Sequence, residues 1–561
     1  MGWGVFLVCW AMAAVVALTS GRDANWDLRN YHYYNAYALL EGRWDLDLAP
    51  AGAHSFLHPG LDLPFYLVTQ SALNDWPRII AVLQAGYLGL LAFLVLCVAN
   101  LVCHGEARRL SGTSAMAAAF GLTGAATLAE AGTTFNDLQI SCLAIGALLA
   151  LLVARKADDV AATRRATRLR LLAGTLGGAA VGLKLTAVIF PPALALAAII
   201  AGPSGARCQI RALAQLTAGG ALGISVIYGP WGWFLFERFE SPFGPFLNGL
   251  FHSPWFPPEA GRDTRFLPAG LWQGLIYPLL WASRSEGLVT EWPVADPRFA
   301  IGLAALLVTV GAEMRRRLIG EVESAEDLNA RRVTWAVMGF IAAGYVTWLA
   351  TFGILRYAGP VEVLLGVPIW AAARELLAPT RPTPDGADGL ERTSALAAER
   401  SGPARAACVA VALACCASVT LYPEWNRQPF SWADEPRVTK AVAVARVELP
   451  EGSLVAMVGP AVSFTAPFLA GPGIRFVGAP HPGEAGAAVF RTRMAESVLK
   501  AAQSHDGPTF AVVEDPDDYD SEVAEAYGIE LDLSSCTELP NNLTTLVRMC
   551  RWRGPEGLVG Q

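Results

Sequence analysis

Apolar runs of roughly 17 to 25 residues recur along the first three quarters of the chain, each long enough to cross about 30 Å of hydrocarbon as a helix. They predict about eleven spans, near 3–20, 79–103, 112–130, 138–154, 171–187, 188–202, 213–235, 299–316, 334–352, 359–374 and 405–421. The first run has no Lys or Arg ahead of it and enters a polar segment without a small-residue cleavage site, so it reads as a retained span rather than a leader. Residues 171–202 are long for one crossing and short for two. There GLKLTAVIFPP, with Lys184 and two prolines, predicts a turn or a broken helix. Residues 267–282 read as a membrane-skimming or re-entrant segment, and 375–404 as a flexible linker before the last span.

The pattern changes after residue 421. GSLVAMVG, GIRFVGA and TFAVVED are short Val- and Phe-rich runs of strand length. FRTRMAESVLKAAQSH and DYDSEVAEAYG have helical spacing. The predicted fold is mainly α: a polytopic membrane helix bundle over 1–421, with a first outer loop at 21–78 and a large one at 236–298, followed by a small α/β domain over 422–561. GPAVSF has too few glycines for a phosphate-binding fingerprint, so the tail is given no nucleotide role.

Composition agrees with the bilayer: 53% of residues are hydrophobic and 16% charged, where soluble domains hold about a quarter. A net charge of −7 without a basic stripe excludes nucleic acid as a partner. The Lys- and Arg-rich loops HGEARRL, RKADDVAATRRATRLR, GARCQIR, MRRRLIG…ARR and RELLAPTR…ER…R fall on one side of the eleven-span arrangement. By the positive-inside rule that side is cytoplasmic, which places the N-terminus inside and the 422–561 tail outside, in the plasma (inner) membrane. Cys536 and Cys550 lie in that polar tail, where an oxidising compartment would permit a disulfide.

Ionisable residues gather on the opposite side, and such groups near a membrane tend to mark function. DANWDLRNYHYYNAYALLEGR, directly after the first span, carries Asp23, Asp27, Arg29 and His32, and the same loop continues with Asp45, Asp47, His54, His58 and Asp62. TTFNDLQ supplies Asn136 and Asp137; the third turn, Lys184; GRDTRFLP, Arg265; and GILRYAGPVE, Arg356 and Glu362. Each has a plainer reading. Asp23 solvates the end of a span, Asp137 caps a helix through its positive N-terminus, Glu362 neutralises Arg356, and DLD at 45–47 is a solvated helix end rather than a metal-binding Asp-x-Asp. Asp27 sits among aromatics and is harder to set aside. Arg356 can hold two phosphate oxygens in a fork.

The stretch DLRNYHYYNAYALLEGRWDLD resembles the Asp-x-x-x-Tyr, Ala-rich, Leu-Leu-x-Gly segment of the family 87 group of GT-C glycosyltransferases, integral membrane enzymes that use polyprenyl-phosphate sugars. SFLHPGLDLPFYLV is similar to the aromatic and proline segment that follows there, and GLKLT and LRYAGPVE resemble late-span motifs of the superfamily. The resemblance is specific over residues 1 to about 75, architectural over 76–421 and absent from the tail.

It implies a hexosyltransferase-type enzyme of cell-envelope glycan biosynthesis. A sugar would pass from a polyprenyl-phosphate donor to a hydroxyl of a glycolipid, polysaccharide or protein acceptor at the extracytoplasmic face, with inversion. Carried over by position, Asp27 is the catalytic general base, with Asp23 its rival. Arg356, Lys184, Arg265 and His58 are the candidates for the donor phosphate. Asp23, Arg29, His32, Asn136, Asp137 and Glu362 are the remaining substrate-binding candidates. One phosphate can be handled by such cations, so no metal or other cofactor is expected. Two other classes stand beside this one: a transporter or flippase of lipid-linked glycans, which should show internal repeats and midspan charges, and a non-catalytic subunit of a glycan assembly system.

Overall fold

The computed structural model describes residues 2–107, 110–154, 160–258, 263–319, 325–377, 390–430, 440–459, 461–479, 492–514, 519–545 and 547–553. Helices fill the chain to Val419, and a β-sheet domain follows. Among the described residues four helices are long and apolar enough to cross a membrane: Trp3–Ser20, Pro77–His104, Ala206–Ile227 and Ala330–Thr351, the last within a helix that starts at Ala325. By length and composition the chain is therefore a polytopic membrane protein.

The eleven predicted spans reduce to these four because most of the other apolar runs are cut short or charged. The run at 112–130 splits into Gly112–Leu122 and Ala125–Ala129. Residues 359–374 split into Gly359–Glu362 and Gly366–Leu376. Asp137–Val153 has 17 residues, and Arg298–Leu318 ends in Arg315, Arg316 and Arg317. Around Lys184 the backbone is extended. A 3-10 turn over Leu185–Ile189 then leads to Phe190–Ala201, whose prolines occupy the first turn, where a missing N–H costs nothing. Of the linker read at 375–404, residues 378–389 lie outside the described residues, and a helix runs from Leu390 to Val419. The basic stretches at 108–109 and 155–159 also lie outside them. The 267–282 segment contains the helix Leu271–Leu280, which exposes Leu271, Trp272, Leu275 and Leu279.

Close backbone approach holds part of the bundle together. The helix Val160–Leu183 meets Ala206–Ile227 through glycines on both sides. A Cβ on Gly174 would fall 2.0 Å from the Leu216 carbonyl oxygen, and one on Gly219 would fall 2.2 Å from that of Leu171. Small residues at such a crossing give packing where lipid supplies no hydrophobic drive.

The tail forms strands β1 (Val447–Glu448), β2 (Leu454–Val458), β3 (Leu469–Ala470), β4 (Arg475–Ala479), β5 (Thr509–Val513), β6 (Glu530–Glu538) and β7 (Arg548–Arg553). Five of them make a sheet in the order β4-β2-β5-β7-β6, with β2 parallel to β4 and β5, and β7 antiparallel to both its neighbours. A disulfide joins Cys536 on β6 to Cys550 on β7.

The loop after the first helix is packed against this sheet domain. Leu48 N donates to the Phe476 carbonyl at 2.9 Å and Gly478 N to the Leu48 carbonyl at 2.8 Å, extending the sheet by one bridge at β4. One buried apolar cluster mixes Leu28, Tyr31, Tyr33 and Tyr34 of the loop with Val455, Phe464 and Phe476 of the tail. The loop predicted to carry the chemistry thus lies between the helices and the sheet.

Candidate active site

The first helix ends at Gly21, whose φ of +95° lies in the region that favours glycine. Asp27 then sits just ahead of a π-helical turn, Leu28–His32, every residue of which is buried. Asp27 itself is 4% exposed. π-turns cost backbone geometry and occur often at functional sites.

Arg356, in the 3-10 turn Leu355–Ala358, donates through Nη1 to Asp27 Oδ2 at 2.6 Å. The same Nη1 lies 3.6 Å from Asp137 Oδ2, and Lys184 Nζ donates to Asp137 Oδ1 at 2.6 Å. Four segments thereby converge in a charge chain that alternates in sign: Asp27, Arg356, Asp137, Lys184. Aromatic faces wall it in. The Arg356 guanidinium lies 4.7 Å from the Phe135 ring centroid and 5.1 Å from that of Tyr357, and Lys184 Nζ lies 5.0 Å from the Tyr357 centroid. Out of bulk water, each charge depends on its neighbours for stabilisation. Asp137 Oδ2 has no hydrogen bond, which leaves one acceptor in the centre of the site.

A second group flanks the chain. Asn136 Nδ2 donates to Asp62 Oδ1 at 2.8 Å, and His32 Nδ1 lies 3.6 Å from the same oxygen without a hydrogen bond. His54 stacks on Tyr31 with ring centroids 5.1 Å apart and contacts Asn30 at 3.3 Å.

Burial and charge set the protonation states. Burial pushes the Asp27 carboxyl upward, but Arg356, with His32 and Lys184 behind it, outweighs burial and holds it well below the usual carboxylate range. Burial opposes charge on Arg356 too, and Asp27 with its other neighbours reverses that and holds its pKa well above normal. Burial pushes His32 down to about 3, so the ring is neutral. Asp62 is pushed well above the normal range by burial, against Asn136 and Lys184. Two carboxyls of one loop therefore sit on opposite sides of their normal pKa.

The other candidates take separate places. Asp23 is fully engaged: Thr134 donates to Oδ2 through N (2.7 Å) and Oγ1 (2.8 Å), and Asn25 donates to Oδ1 through N (3.1 Å) and Nδ2 (2.8 Å). Glu362 does not meet Arg356. It is buried and accepts from Ala126 N, Thr127 N and Thr127 Oγ1, where it caps the short helix Ala125–Ala129. Arg29 pairs at 2.7 Å with Glu514, just past β5. His58 accepts from Gly60 N through Nδ1 at 3.0 Å and donates through Nε2 to the Ile227 carbonyl at 3.2 Å, holding the loop to a helix end. Arg265 is 66% exposed and tied to Asp263 and Glu291. Asp45 and Asp47 of DLD turn to different partners, Arg238 and Arg43. Asp62 was not distinguished from the other acids of the loop by any sequence signal. Its place beside His32 and Asn136 depends on a contact between positions 74 residues apart.

Two solved structures align with the chain over 98% of both chains: ArnT from Cupriavidus metallidurans bound to undecaprenyl phosphate, at 14% identity and a TM-score of 0.47, and the same protein in the apo state, at 18% and 0.49. Likeness this loose carries over no residue, ligand or reaction. No protein-family model matches the chain, and no curated protein matches it.

Proposed function

We propose that the chain is a membrane glycosyltransferase that moves a sugar from a polyprenyl-phosphate donor to an acceptor hydroxyl at the extracytoplasmic face. One observation carries this reading beyond the resemblance of its first 75 or so residues: Asp27, Arg356, Asp137 and Lys184 form one charge chain at the end of a helix bundle. A phosphate needs cations in a dry site, and an acceptor hydroxyl needs a carboxylate within hydrogen-bond reach.

In the reaction the donor phosphate engages Arg356 and Lys184. The acceptor oxygen attacks the anomeric carbon, its proton passes to Asp27, and the bond from that carbon to the phosphate oxygen breaks, with the electron pair leaving on the phosphate. Attack opposite the leaving group inverts the configuration. Asp27 is a weak base while Arg356 holds it, so a phosphate that draws the guanidinium away also raises the basicity of the carboxylate. Asp23 and Glu362 are fully hydrogen-bonded to backbone and side-chain donors of neighbouring turns and serve as clamps in this scheme. The 422–561 domain, on the same face, backs the catalytic loop.

The test is transfer of radiolabelled sugar by the purified protein in nanodiscs from a panel of polyprenyl-phosphate sugars. Transfer from at least one donor, lost in Asp27→Asn, supports the reading; no transfer from any of them with cell-envelope lipid extract as acceptor rejects it.

A further inference from the structure

A cavity of about 240 Å³ lies away from the Asp27 site, where the first loop, the end of the helix Gly229–Phe239 and the tail meet. The short turn Gly52–Phe56 separates the two. His54 faces the Asp27 side, against Tyr31 and Trp26, while Ser55 and Phe56 line the cavity. Nothing in the transfer scheme uses this space.

Its walls have a definite chemistry. Trp44, Phe56, Phe239 and Trp255 present aromatic surface, and Asp45 and Arg238 supply hydrogen-bonding groups. Charge around the cavity is balanced. Asp45 pairs with Arg238, and Asp47 accepts two hydrogen bonds from Arg43, through Nε at 3.0 Å and Nη2 at 2.7 Å. Among the described residues that line the cavity, the one cation, Arg238, is paired with Asp45, and Asp47 is held by Arg43, so the walls offer hydrogen bonds to a neutral ligand and no free charge. The volume falls below the roughly 300 Å³ at which pockets for drug-sized ligands begin. That suits one ring with its hydroxyls.

We propose that this cavity is a binding subsite for one neutral sugar residue of a glycan, held by the aromatic walls and by hydrogen bonds to the Asp45–Arg238 pair. The aromatic faces cover the C–H faces of the ring, and the carboxylate and guanidinium take its equatorial hydroxyls. Under the glycosyltransferase reading the glycan is the acceptor, and the subsite sets which acceptor is used. Binding itself does not depend on that reading.

Saturation-transfer NMR on the full chain in nanodiscs tests it, with neutral trisaccharides of mannose, glucose and galactose as probes and inorganic phosphate as the contrasting anion. At least one trisaccharide should show transfer. Trp44→Leu keeps an apolar side chain and removes the flat aromatic surface, and should weaken that binding about five- to tenfold, the effect of about 1 kcal/mol of lost aromatic contact. Asp45 is largely exposed, so Asp45→Asn keeps the fold and should weaken binding several-fold. Binding of none of the trisaccharides, or binding equal in both variants and the native chain, overturns the subsite. Phosphate competing for the same signal overturns the assignment to a neutral ligand. Sugar binding without transfer activity would leave the subsite standing and remove the reaction; transfer without sugar binding would do the reverse.

Discussion

Arg356 donates to Asp27 at 2.6 Å although 329 residues separate them, and both side chains are mostly buried. Among the described residues neither charge has another partner of equal quality: Asp137 is 3.6 Å from the same guanidinium nitrogen. Removing one member of a buried pair strands the other at a cost of about 3–5 kcal/mol, whereas removing both relieves it. Asp27→Asn alone should therefore lower stability as well as turnover, and adding Arg356→Gln should restore much of the stability. Turnover should fall by about 10²- to 10⁴-fold in Asp27→Asn and should not return in the double variant. Thermal melting and transfer rate across the double-mutant cycle separate these effects. Recovery of transfer with stability would remove both Asp27 and Arg356 from the chemistry and leave them a structural pair.

Arg356→Lys keeps a positive charge and loses the two-pronged fork. The aromatic faces of Phe135 and Tyr357 still accept a cation, so the fold should persist. Donor KM should rise by roughly tenfold, the size of one charge-assisted hydrogen bond, with kcat changed less. An unaltered KM with reduced kcat would place Arg356 on the base and not on the phosphate.

Asp62 and His32 should give stability opposite dependences on pH. The Asp62 carboxyl is raised above 3.8 in the folded chain, so its contribution is complete below 3.8 and is lost as pH rises through the folded value. Asp62→Asn removes that loss, and should gain in melting temperature over the native chain as pH rises. His32 is pushed from 6.5 to about 3, so below 6.5 the unfolded chain takes up a proton that the folded one does not. Stability then falls as pH drops from 6.5 toward 3, and His32→Gln should gain over the native chain in that window. Parallel melting curves for all three proteins between about pH 4.5 and 8 would show that neither group is held as described.

Apolar runs and the loop that follows the first of them were legible because period and length are local properties. Asp27 and Arg356 were each legible as an acid and a cation beside a span. Their pairing was not, since it depends on a fold that brings Phe135, Lys184 and Tyr357 around them. The spans were over-counted for a related reason. The break after Leu122 is stabilised by Glu362, whose carboxylate satisfies the N–H groups of Ala126 and Thr127 from 235 residues or more away. A local reading can see an apolar run there but not the distant cap that starts the second helix.

Cys536 and Cys550 join neighbouring antiparallel strands at one edge of the sheet. Closing a loop of about 15 residues stabilises by roughly 3 kcal/mol in the chain-entropy model. Alkylation followed by mass analysis of protein purified without reductant should find these two cysteines protected. Reduction should lower the melting temperature of the tail, and the Cys536→Ser variant should melt like the reduced chain. Free thiols at both positions would place the tail in a reducing compartment and reverse the orientation of the bundle.

Arg29 links the loop to the tail. Its guanidinium is 7% exposed and donates to Glu514 Oε1 at 2.7 Å, and Glu514 also accepts from Thr544 Oγ1 at 3.1 Å. Next along the loop, Asn30 Oδ1 accepts from Ala461 N at 3.3 Å. Arg29 and Asn30 lie in the π-helical turn that follows Asp27, so the tail bears directly on the turn that aims the carboxylate. Glu514→Gln keeps the shape and the bond to Thr544 while weakening the hold on Arg29. Glu514 is one-third exposed, so water compensates part of the loss, and stability should fall by only about 1 kcal/mol. Positioning is less forgiving than stability, and a small shift of a base can cost up to about 10²-fold in rate. Glu514→Gln should accordingly lower kcat with donor KM unchanged, and Glu514→Asp should recover part of it. Equal losses of kcat and of folded protein, with no recovery in the Asp variant, would make this contact a brace for the tail alone.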